Sequence, residues 1–232
     1  MDKHIIIDRR FCGPPTSGNG GYTCGMLANF VGYPAEVRLL APPPLGVPLM
    51  VEQEDNRFIL LHGEEVVARA EAASVDLEVP LPPTMEEAGR TIPESEIFVR
   101  HAFPTCFVCG PQRDAGDGLR IFAGPVAGRN YVAAPWIPDS SVADSQGMVR
   151  SEIICAALDC PGAWAVFAEE LRVIVLGTLA VDINRRMRAG DPCIVVGWKI
   201  GEEGRKLYAG TAIFSATGEL YAKARATWIE LK

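Results

Sequence analysis

The chain has 232 residues, 48% hydrophobic and 22% charged, which is the balance of a protein with a sizeable core rather than of a disordered chain. That length suffices for one large domain or for two of roughly 100–120 residues. A net charge of −7 argues against a nucleic-acid partner, because phosphate binding needs a basic stripe.

No run reaches the roughly 18 apolar residues of a membrane span. The isoleucines Ile5 to Ile7 fall far short of a signal-peptide core. The most apolar segment, Leu171 to Val181, is short and β-branched and suits buried structure. Seven cysteines, an odd number scattered along the chain, fit reduced thiols rather than a disulfide framework, so a cytoplasmic location is expected.

In chain order, a Gly-rich approach (Gly13 to Gly21) leads into an apolar segment of helical character, Tyr22 to Val31. Strand-like runs follow at Ala35 to Leu40, Leu49 to Gln53, Arg57 to Leu61 and Glu65 to Ala73, with a turn at His62-Gly63. Paired prolines then predict an extended, poorly packed connection, which divides the chain into an N-terminal half (1–80), a linker (81–100) and a C-terminal half (101–232).

Beyond it, strands are expected at Gly118 to Phe122 and Asn130 to Trp136, then a helix from about Ser151. Strands at Gly177 to Arg185, Pro192 to Ile200, Lys206 to Ser215 and Leu220 to Glu230 follow, separated by glycine turns. A helix followed by an antiparallel meander thus occurs twice, which predicts an α+β repeat.

The run Cys106-Phe-Val-Cys-Gly110, then Asp117-Gly-Leu-Arg-Ile-Phe122 and Tyr131-Val-Ala-Ala-Pro-Trp136, resembles the hot-dog thioesterases of the phenylacetate-pathway type. The likeness continues through Leu158-Asp159, Gly190-Asp-Pro192 and Ala224-Arg-Ala-Thr-Trp228. Asn19-Gly-Gly-Tyr22 carries it more loosely in the first half. The resemblance implies two tandem hot-dog folds, each a curved antiparallel sheet around a central helix, forming an intramolecular pseudo-dimer. It also implies an acyl thioester such as an acyl-CoA as substrate, with coenzyme A entering only as part of that substrate.

In that family a His-Gly-Gly motif opens the helix, and a carboxylate follows nine residues after the His. Here Asn19-Gly20-Gly21 has Asn for His, and Ala28 stands nine residues on. The second half has Arg150-Ser151-Glu152 in place of the motif, yet Asp159 lies nine residues after Arg150.

Nine residues span about 13 Å of helix, so an acid there cannot serve its own helix start. Side-by-side antiparallel helices would bring Asp159 to Gly20 and Gly21, giving one composite catalytic site per chain. Asp159 would act as base or nucleophile, its pKa raised by burial, while Gly20 and Gly21 offer oxyanion-binding amides and Asn19 caps the helix. The plainer reading of Asp159 is a cap at a helix break before Pro161.

Tyr22, Arg186, Arg188, Arg205 and Lys206 are candidate substrate contacts, the basic ones for CoA phosphates. Phe11, Phe30, Trp136, Trp164 and Phe167 are candidates to line an acyl pocket. Cys106-x-x-Cys109 alone is half a zinc site or a redox pair. With no second CxxC and no supporting pattern around His4, His62 or His101, no metal is assigned, and Cys155 and Cys160 read as small buried residues. Alternatives to hydrolysis are acyl-thioester binding without turnover and a hydratase, whose Asp–His pairing is not evident. Assembly into a homodimer of double units is expected.

Overall fold

The computed structural model describes residues 3–91, 101–167 and 173–231. The N-terminal half comprises β1 (Lys3–Ile6), α1 (Gly20–Val31), β2 (Ala35–Leu39), β3 (Pro48–Glu54), β4 (Arg57–His62) and β5 (Glu65–Ala72). A short helix, α2 (Met85–Arg90), stands between the halves. The C-terminal half comprises β6 (Gly124–Pro125), β7 (Val132–Trp136), α3 (Ser151–Ala157), α4 (Cys160–Val166), β8 (Ile174–Ile183), β9 (Cys193–Glu203), β10 (Lys206–Ser215) and β11 (Leu220–Glu230).

All the strands join one antiparallel sheet in the order β1-β3-β4-β5-β2-β8-β11-β10-β9-β7-β6. The halves meet at its centre, where β2 pairs with β8 in the register Ala35↔Val181 and Val37↔Leu179. Central helix and meander recur on either side of this seam, so the fold is the tandem double hot dog that the resemblance implies. Strand alternation sets the layers. Val37 and Leu179 point into the main core with Leu27 and Leu60 from the first half and Ile153, Ile154 and Leu158 from the second.

α1 packs on β2, β4, β5 and β8, and against α3, while α4 packs on β7, β9 and β10. Along β9 the alternation serves two cores: Cys193 and Val195 face the main one, Ile194 and Val196 a second. That second core, with Ala133, Ala212 and Phe214, is closed by Ala88 of α2.

Two expectations change. The connection at 81–91 is not loosely packed. Thr84 and Glu87 form a reciprocal capping box that starts α2, Tyr131 donates to the Leu81 carbonyl (3.1 Å) and Thr91 to that of Ala133 (2.8 Å). Residues 92–100 of the expected linker, and Leu171 and Arg172, lie outside the described residues.

Second, 118–122 is not a strand. Arg120 has φ +54°, and the Leu119 and Ile121 amides donate to Phe107 and Val108 carbonyls of a neighbouring loop. The helix from Ser151 ends at Ala157 with Leu158 as its C-cap, and α4 restarts it with Pro161 in its first turn, where a missing amide is tolerated, so the helix breaks where one reading of Asp159 placed a break.

Candidate active site

α1 and α3 lie antiparallel and unusually close, and glycines allow it. A Cβ on Gly21 would lie 2.5 Å from Asp159 Cβ and 2.6 Å from the Cys155 carbonyl oxygen. One on Gly25, a turn later, would lie 2.5 Å from Glu152 Cα. Gly21 and Gly25 are therefore required by packing, whatever their chemistry.

This crossing brings Asp159 to the start of α1. Asp159 holds the N-cap position of α4 at φ −77°, ψ −81°, yet its side chain makes no capping bond there. Both sequence readings of the residue thus contain something: the helix does break, but the carboxylate reaches across to the other half. Asp159 Oδ2 accepts from Gly21 N (3.0 Å) and from Asn19 Nδ2 (2.8 Å), while Asn19 Oδ1 accepts from Tyr22 N (2.8 Å) and caps α1. Asn19 is thus a cap and a carboxylate donor at once.

Asp159 is 2% exposed, and among the described residues its buried Oδ1 has no hydrogen-bond partner. Burial pushes its carboxyl up to about 7, with the Gly21 amide pulling the other way. An orphaned carboxylate oxygen in so closed a place is the kind of feature that native structures keep for a reason. Among the described residues no acceptor bonds the Gly20 amide, and Gly20 is half-buried rather than closed over. It is the first residue of α1, where helix geometry leaves donors free and the dipole is positive.

Tyr22, expected at the substrate, is 3% exposed and stacks on Phe11 at 4.0 Å, with Phe107 edge-on to Phe11. Burial raises its hydroxyl to about 12, and the structure gives the ring a packing role.

The basic residues separate. Gly20 packs against Leu176, and the register Leu176↔Trp228↔Leu207 puts the exposed Arg205 and Lys206 at that same end of the sheet. Arg186 pairs with Asp144 at 2.8 Å, and Arg188 donates to the Gln146 carbonyl (3.3 Å). Both adjoin the segment leading into α3, whose start is the opposite end of the helix pair. A cleft of about 510 Å³ opens between Leu119, Arg120, Trp136, Asp139, Val142 and Gly190. It includes Trp136 among the expected acyl-pocket residues. Trp164 and Phe167 contact each other instead, and Phe30 contacts Phe58.

One grouping escaped the sequence reading. The sulfur atoms of Cys106, Cys109 and Cys160 lie within 4.8 Å of one another, all three residues buried. His101 Nε2 is 3.1 Å from Cys109 Sγ. Cys106 Sγ also contacts Asn19 Nδ2 at 3.9 Å, so the cluster abuts the Asp159 site. Nothing in the spacing of Cys160 could have joined it to the CxxC.

No family model and no curated protein matches the chain. Solved structures do. It is similar to the tesB protein of Mycobacterium avium subs. paratuberculosis at 14% identity and a TM-score of 0.63, over 95% of this chain and 90% of that one. A Novosphingobium aromaticivorans protein whose name ascribes to it a thioesterase role matches at 11% identity and a TM-score of 0.63, over 99% and 95%. A conserved hot-dog protein of Alicyclobacillus acidocaldarius matches at 11% and 0.62, over 99% and 92%. At these identities the likeness is one of fold.

Proposed function

We propose that the chain hydrolyses acyl thioesters, with CoA as the carrier, at the composite site of Asp159, Asn19, Gly20 and Gly21. The observation that carries this reading is the carboxylate of one half held by the Gly21 amide and the Asn19 side chain at the start of the other half's helix, with one oxygen left over among the described residues. Asn19 and Gly21 fix Oδ2. Oδ1 is then the oxygen that takes a proton from water as the water attacks the carbonyl carbon. The oxyanion forms against the Gly20 amide and the positive end of α1, and Asp159 returns the proton to the departing thiolate.

Arg205 and Lys206 share an end of the sheet with Gly20 and are the side chains assigned to the CoA phosphates. The thioesterase role ascribed to one structural neighbour supports the same reaction class. A cytoplasmic homodimer of double units belongs to this reading, and among the described residues no helix is long and apolar enough to cross a membrane.

A second reading, thioester binding without turnover, is favoured by one fact: Asp159 occupies an amide, Gly21 N, that could otherwise hold an oxyanion. Thiol release from a panel of short, long and aromatic acyl-CoAs decides between them. Turnover that disappears in Asp159→Asn is the expected result. Tight binding of some members with no turnover of any would establish the binding reading instead.

A further inference from the structure

We propose that Cys106, Cys109, Cys160 and His101 bind a zinc ion in a closed, four-coordinate structural site beside Asp159. Zinc–thiolate bonds of about 2.3 Å arranged tetrahedrally set neighbouring sulfurs roughly 3.8 Å apart. Cys106 and Cys160 Sγ are 3.7 Å apart, and Cys109 Sγ completes the triangle within 4.8 Å. His101 Nε2 is 3.1 Å from Cys109 Sγ but stands outside the 4.8 Å group of sulfurs, so it becomes the fourth ligand by turning inward.

The first two cysteines sit on one tight turn of the 101–110 loop. The turn closes by Gly110 N donating to the Cys106 carbonyl (2.9 Å). A Cβ at Gly110 would sit 2.5 Å from that same oxygen, so the knuckle admits only glycine. Three buried thiols beside a half-buried imidazole are a donor set that suits a soft divalent cation.

Binding releases the three thiol protons and leaves the centre with a net charge of −1. The Phe103 amide donates to His101 Nδ1 at 2.9 Å, which places the ring proton on Nε2. Ligation through Nε2 moves that proton to Nδ1 and gives up the Phe103 bond.

The ion would tie the 101–110 loop to the first residue of α4, directly after Asp159. Through Cys106 it would also bear on Asn19, whose amide touches both Cys106 Sγ and Asp159 Oδ2. The metal thus has a positioning role and no step in the reaction.

The test uses the full chain, purified under reducing conditions, stripped with chelator and reloaded with Zn²⁺ or Co²⁺. One metal per chain is expected, with the thiolate-to-cobalt charge-transfer band and the intense ligand-field bands of tetrahedral cobalt. Cys160→Ser should lose the charge-transfer intensity or weaken the metal at least about tenfold, His101→Ala should shift the ligand-field bands, and Cys193→Ser, a buried thiol elsewhere, should change neither. A wild-type chain that takes up no cobalt, or takes it up in octahedral form without charge transfer, overturns the proposal. So does a disulfide among Cys106, Cys109 and Cys160 that persists under reduction and is mapped by mass spectrometry. The wild-type reading is decisive even if a variant fails to fold, and it needs no substrate, so it stands or falls apart from the thioesterase reading.

Discussion

The two ends of the central helix pair are related by the repeat and are built from different residues. At one end Asp159 meets the start of α1. At the other, Glu152 in the first turn of α3 meets Asn29 near the end of α1. Glu152 has both carboxylate oxygens engaged, Oε1 with Arg150 Nε at 3.5 Å and Oε2 with Asn29 Nδ2 at 3.2 Å. Among the described residues, Asp159 has no cation among the contacts of its carboxylate, and one of its oxygens has no hydrogen-bond partner. An acid whose charge and lone pairs are met is a structural element. An acid held by donors on one oxygen and bare on the other retains capacity for chemistry. The pseudo-symmetry of the fold therefore marks which end to test.

The largest contrast should come from the acids. Asp159→Asn should lower kcat/KM for the best acyl-CoA by about 10²–10⁴-fold, the usual contribution of a general acid–base group, while Glu152→Gln should change it only a few-fold. Equal losses would mean that the two ends are functionally alike. Next comes the crossing between them. Gly25→Ala drives a Cβ into Glu152 Cα at 2.5 Å and should destabilise the fold by about 1–3 kcal/mol in chemical denaturation, the ordinary cost of overpacking.

Asn19→Ala removes the α1 cap and one of the two donors to Asp159. It should cost about 1 kcal/mol of stability and lower kcat more than it raises KM, because a positioning residue acts through Asp159. The smallest effects concern the basic residues. Lys206→Ala and Arg205→Ala should raise KM for CoA thioesters by about two- to fivefold, the scale of an exposed ionic contact. Arg186→Ala, whose guanidinium is already held by Asp144, should leave KM unchanged. A reversed pattern would place the CoA phosphates at the Glu152 end.

The sequence by itself determined the repeat and most of its elements, because alternation and glycine turns are local signals. The bounds expected for Lys206–Ser215 and Leu220–Glu230 coincide with β10 and β11. The resemblance, through its antiparallel helices, carried the expectation that Asp159 meets Gly20 and Gly21, with a helix-break cap as the plainer alternative. β1 was too short to read as a strand. Gly118 to Phe122 has a strand's composition but takes its hydrogen bonds from a loop.

Only the tertiary structure decided that Tyr22 turns inward onto Phe11, that α2 closes a second core, and that Asp159 reaches across a helix break instead of capping it. It alone placed Cys160 against Cys106, 54 positions earlier in the chain. Each of these depends on how a helix docks on a sheet formed by distant segments. Such docking is fixed by packing across the whole core, and no local pattern encodes it.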